Sequence, residues 1–171
     1  MPATALEPSP IDPRLLSAIA DDLGTPAYVY DAGRIRSAYR RLDAALAPHP
    51  HAIHYALKAN STLALVRLLR AEGAGADANS GGEIEVALRA GFIPDQIVFT
   101  GVGKTADELD RAVTLGLKAI NAESPGELDR IAARARAQAL QQRALRLAHA
   151  LLLDQGQAGD RTLRGHGTDP G

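Results

Sequence analysis

The sequence predicts an α/β chain built on a parallel sheet, specifically part of a (β/α)8 barrel. From residue 52 onward, short apolar runs alternate strictly with helical stretches, giving four strand–loop–helix units at a pitch of about 22 residues. Such alternation implies parallel strands joined by right-handed crossovers. In addition, Lys58, Asp77, Thr100 and Asn121 each fall at or beside the end of an apolar run, which is where a barrel collects its chemistry. An open doubly wound sheet is the rival, but no Gly-x-Gly-x-x-Gly fingerprint follows the first strand.

In chain order, Ile11 to Leu23 has Leu15, Leu16, Ile19 and Leu23 at helical spacing, with Gly24 as the stop. Thr25-Pro26 leads into Ala27-Tyr28-Val29-Tyr30, predicted as a short strand. Asp31 can cap the next helix, which carries Ile35, Ala38, Tyr39, Leu42 and Leu46 and ends at Pro48. The first barrel strand is predicted over 52–58 and its helix over Leu63 to Glu72. A strand at Ala76 to Asn79 precedes helix 83–90, and a strand at Gln96 to Phe99 precedes helix 106–115. The last pair is a strand from Lys118 to Asn121 and a long helix. That helix opens at Ser124-Pro125-Gly126-Glu127, where serine followed three residues later by glutamate fits a capping box.

The domain boundaries follow: an N-terminal segment and helix over 1–24, the partial barrel over 25–138, a helix extension over 139–155 and a disordered tail over 156–171. Leucines and alanines at 140, 144, 147, 148, 151 and 152 keep the helical period, whereas the last sixteen residues are rich in glycine.

Composition excludes several function classes. The 171 residues are 46% hydrophobic and 23% charged, as in a globular protein, and the net charge of -1 offers nucleic acid no electrostatic footprint. The absence of cysteine removes disulfides, thiolate zinc sites and a cysteine nucleophile. Met1 to Asp12 has neither a basic segment nor an apolar one, and no run approaches the roughly 18 apolar residues of a membrane span. The expected compartment is the cytoplasm, with neither membrane nor nucleic acid as partner.

Lys58 is the leading candidate for chemistry. Burying an ammonium where an apolar strand ends is costly, so such a site favours the neutral amine, which can condense with an aldehyde such as pyridoxal phosphate. Period-two alternation puts His54, Ala56 and Lys58 on one face, with Ile53, Tyr55 and Leu57 on the other. The bulky set belongs under the helices, which leaves Lys58 facing the barrel mouth. A strand-end lysine reaching into solvent is the plain alternative. Gly101-Val102-Gly103-Lys104-Thr105 looks like a phosphate-binding loop, yet Val98 occupies the position where that motif needs its first glycine. It reads instead as a solvated loop.

Four segments taken together resemble diaminopimelate decarboxylases, which are fold-type III pyridoxal phosphate enzymes. They are Tyr55-Ala56-Leu57-Lys58-Ala59-Asn60, Asp77-Ala78-Asn79-Ser80-Gly81-Gly82-Glu83, Val98-Phe99-Thr100-Gly101-Val102-Gly103-Lys104-Thr105 and Asn121-Ala122-Glu123-Ser124. The resemblance covers roughly residues 25–137. It implies a (β/α)8 barrel, pyridoxal phosphate bound covalently to Lys58, and Asp77 close to lysine and cofactor. A carboxylate that merely caps a strand end explains Asp77 equally well, and the helix dipole explains Glu83. The early strand at 27–30 would then pair only within a second, β-rich domain. The implied reaction is decarboxylation of meso-2,6-diaminopimelate to L-lysine. Ornithine, arginine and carboxynorspermidine decarboxylases of the same group remain open, as does a non-catalytic pyridoxal phosphate-binding or regulatory protein.

The resemblance also implies, beyond residue 140, a phosphate loop, a ring-stacking histidine, a glutamate for the pyridine nitrogen, and a cysteine and tyrosine; none is present, and His149 and His166 do not stand in a matching context. A truncated or frame-shifted chain is therefore expected, inactive alone. It could pair as a homodimer across its sheet edges or associate with a full-length homologue.

Overall fold

The computed structural model describes residues 11–143. Four parallel strands form one sheet in the order β1 (His54–Ala56), β2 (Gly75–Ala78), β3 (Ile97–Phe99) and β4 (Ala119–Ile120). Helices α3 (Leu63–Ala71), α4 (Gly81–Ala90) and α5 (Ala106–Leu115) join them in succession, and α6 runs from residue 125 to 143. Sequential order with parallel pairing is the pattern of consecutive units of a (β/α) barrel.

The period-two pattern sorts the residues as expected. Tyr55, Ala76, Ala78, Ile97, Phe99 and Ile120 lie on the helix side, packed with Val66 of α3, Ile84 and Ala87 of α4, and Ala112 of α5. The opposite, concave face carries His54, Ala56, Gly75, Asp77, Val98 and Ala119 in register. Small residues on β2 let α4 approach closely. At the helix ends, Gly91 and Gly116 take the left-handed conformation that a Cβ disfavours.

Before the sheet, α1 (Pro13–Leu23) is capped by Asp12, and α2 (Ala32–Leu46) by Asp31, whose carboxylate accepts from the Arg34 amide at 3.0 Å. Neither helix buries a residue fully. α2 is tied to the end of α3 by Arg40, which donates to Glu72 at 2.6 Å. The strand predicted at Ala27-Tyr28-Val29-Tyr30 does not form. A strand exists only beside another backbone, and none of the described strands lies next to this segment; Tyr28 is 92% exposed.

The strand predicted over 52–58 is shorter, because Leu57–Ala59 turns into a single 3-10 turn. Leu57 buries its side chain, Tyr55 Oη donates to the Asn60 carbonyl at 3.0 Å, and Asn60 Oδ1 accepts from the Thr62 amide at 2.9 Å. These three anchors bend the chain before alternation reaches Lys58. The helix after Ser124 continues without a break across residue 138 to residue 143. The rest of the 139–155 extension, the 156–171 tail and the first ten residues lie outside the described residues. Among the described residues, no helix is long and apolar enough to cross a membrane.

Candidate active site

The C-terminal ends of the four strands carry the candidate residues on one rim. Lys58 sits on the 3-10 turn directly after β1 and is exposed. The sequence argument placed it in an apolar, buried position. That premise is not met among the described residues, because the turn lifts Lys58 off the strand while Leu57 goes inward. The amine makes no ion pair there and is accessible to a carbonyl compound.

Asp77 lies on β2 in register with Ala56, on the concave face. Its Oδ1 is buried with no hydrogen-bond partner among the described residues, and so is Asn79 Nδ2 at the end of the same strand. Leaving a buried polar atom unpaired costs about 1–3 kcal/mol, so these two atoms are open to a polar partner. Further round, Asn121 Nδ2 donates to Thr100 Oγ1 at 3.1 Å, joining the ends of β3 and β4.

The corners holding these residues share one construction. Ser80 caps α4, accepting from the Glu83 amide at 3.2 Å, while Glu83 Oε2 reaches back to the Asn79 amide at 2.7 Å. Thr105 and Glu108 form a full capping box on α5, and Glu108 Oε1 also accepts from the Gly81 amide at 2.8 Å. The Thr105 amide first and the Gly81 amide second hold the Glu108 carboxyl below the usual range. At α6, Ser124 accepts from the Glu127 amide at 3.1 Å, and Glu127 Oε2 takes the Glu123 amide at 2.7 Å. Glu127 thus reaches one residue further back than the predicted box requires.

Lys104 is not in a solvated loop. Its side chain is fully buried, donates to the Asn121 carbonyl at 2.7 Å, pairs with Glu127 at 3.4 Å and lies 5.4 Å from the Phe99 ring centroid. The Glu123 amide, then Lys104, hold Glu127 below the ordinary carboxylate range against the opposing effect of burial. Sequence reasoning missed this pin, although Thr105-x-x-Glu108 and Ser124-x-x-Glu127 mark both helix starts that it joins. Among the described residues no cluster of histidine, cysteine and carboxylate side chains could hold a metal ion.

The segment thus carries an accessible lysine just after β1 and a carboxylate on the neighbouring strand β2. The chain belongs to the pyridoxal-dependent decarboxylases through their pyridoxal binding domain, which matches residues 32–158. That span runs past residue 138, where the recognisable motifs give out. Within the family, the diaminopimelate decarboxylase of Pseudomonas aeruginosa is 47% identical over 116 residues, which cover 68% of this chain and 28% of that protein. The one from Vibrio cholerae is 42% identical over 116 residues. Among solved structures, Helicobacter pylori diaminopimelate decarboxylase complexed with L-lysine superposes with a TM-score of 0.69 at 40% identity, covering 72% of this chain and 32% of that one. Lysine/ornithine decarboxylase of Vibrio vulnificus, complexed with putrescine, gives 0.65 at 31% identity, covering 70% and 32%. The chain therefore spans less than a third of the length of these relatives.

Proposed function

We propose that these residues form the cofactor-holding portion of a diaminopimelate decarboxylase, with Lys58 as the covalent anchor for pyridoxal phosphate and Asp77 as its neighbouring carboxylate. The unpartnered Asp77 Oδ1 on the rim is the observation that supports the fit, since it gives a polar cofactor a buried group to meet. When bound, pyridoxal phosphate supplies an electron sink for the charge left as carbon dioxide departs. Lys58 would hold the cofactor through Nζ, and its ammonium would be placed to supply a proton to the carbon that loses its carboxylate. The Ser80–Glu83 corner keeps the end of β2, and with it Asp77, fixed while this happens. The substrate is then a diamino dicarboxylic acid, meso-2,6-diaminopimelate, the product L-lysine, and the compartment the cytoplasm.

The test is reductive trapping. Borohydride added to the protein with pyridoxal phosphate should fix the label on the peptide containing Lys58, and Lys58→Ala should lose both the label and the visible absorbance band. A label on Lys104 or Lys118 would refute the assignment. Carbon dioxide release from meso-diaminopimelate, but not from L-ornithine, supports the substrate. The reverse order removes it, and release from neither removes decarboxylation from this chain.

A further inference from the structure

Away from the rim, at the N-terminal end of the sheet, one polar contact crosses the whole concave face. Lys118, immediately before β4, places Nζ 3.4 Å from Nε2 of His54, the first residue of β1. β1 and β4 are three strand spacings apart, about 14 Å in a flat sheet. The two side chains must therefore reach toward each other across β2 and β3 to make this contact. Glycine makes room beneath: a Cβ at Gly75 would come within 2.6 Å of His54 Nε2, so the imidazole lies directly over β2.

We propose that His54 and Lys118 form a proton-sensitive brace that spans β1 to β4 and holds the curvature of the sheet under Asp77. An ammonium can only donate, so Nε2 must be the acceptor and the neutral ring carries its proton on Nδ1. Protonating the imidazole replaces this contact by two cations at close range, and the brace opens. The surroundings favour the neutral ring: burial first and Lys118 second hold His54 below its ordinary value, while Asp77 on β2 and the Ala52 carbonyl act in the opposite sense. Val98 of β3 adds no charge, and from α2 the Tyr39 phenol shares the cleft beside β1 with His54, itself pushed up by burial. The proposal does not depend on the cofactor assignment: its two contacting side chains lie at the other end of the sheet, and Asp77 enters it only as a nearby charge.

The test is a long-range proton–nitrogen NMR titration of the unliganded chain. At neutral pH, His54 should show the Nδ1–H tautomer, with a midpoint below about 6.5, the value of an unperturbed histidine. The backbone amides of Ala119 and Ile120 should titrate with that same midpoint. Lys118→Met should raise the midpoint part of the way back and uncouple those amides. His54→Gln keeps an acceptor without a titration, so its β4 amides should be flat with pH; this variant decides the matter if Lys118→Met does not fold. An Nε2–H tautomer, a midpoint indifferent to Lys118→Met, or β4 amides still titrating in His54→Gln would overturn the brace.

Discussion

Replacing Gly101 by alanine tests how the rim is held together. A Cβ built there falls 2.7 Å from the carbonyl carbon of Asn79 and 3.1 Å from its Cα, and closer still to the oxygen. Carbon atoms pack at about 3.5–4.0 Å, so the β2 and β3 ends must separate by about 1 Å. Both sides of the clash are backbone, with no rotamer that could swing away. On one side, Asn79 is fixed by the hydrogen bond its backbone amide donates to Glu83 Oε2; on the other, the Thr100 amide donates to the Ala78 carbonyl at 2.8 Å. Overpacking a well-packed interior costs about 1–3 kcal/mol, occasionally more, and this geometry belongs at the upper end. At roughly 2–4 °C per kcal/mol for a chain of this size, melting should fall by about 10 °C. Circular dichroism melts of the wild type and Gly101→Ala measure it directly. Gly75→Ala is the internal comparison, since its Cβ meets a histidine ring that can rotate; its loss should be clearly smaller. Equal melting of Gly101→Ala and wild type would refute the close approach of the two loops.

Thr105→Ala removes the side-chain half of the capping box and should cost about 1 kcal/mol, with Thr105→Ser restoring most of it in the same melts. Lys104→Met should destabilise more than Thr105→Ala, because it strands a buried carboxylate and the Asn121 carbonyl together; denaturant midpoints rank the two. The Glu108 carboxyl is lowered in the folded state, so its stabilisation is fully present above the ordinary value and is lost as pH falls through the lowered one. Melting followed from about pH 6 to about pH 3 should therefore show a shallower acid limb for Glu108→Gln than for the wild type.

Much of the fold was legible because the apolar residues kept strict periods. Helix 106–115 was predicted to the residue, where Thr105 and Gly116 punctuate both ends. The four parallel strands followed from βα alternation alone. What failed did so for tertiary reasons. Residues 27–30 are chemically strand-like, but a strand requires a neighbour, and sequence does not show who sits beside it. The early end of β1 depends on Tyr55 reaching the Asn60 carbonyl, a side-chain contact that no periodicity encodes. Lys104 was misread because its loop was judged by the glycines around it. Its partner Glu127 is 23 residues away and was counted only as a helix cap.

The helix corners differ in a way that bears on reactivity. Those opening α4, α5 and α6 are each clamped by a glutamate in the first turn or its approach. The corner opening α3, which bears Lys58, has no acidic residue in that first turn and no side-chain cap on its helix, relying instead on the neutral Asn60. On the proposed role of Lys58, its own corner adds no first-turn carboxylate to hold the amine in an ion pair, which leaves Asp77 on the next strand as the carboxylate proposed for it. Lys58 also stands on the least clamped of these corners, so a rearrangement of its turn would disturb no anionic anchor.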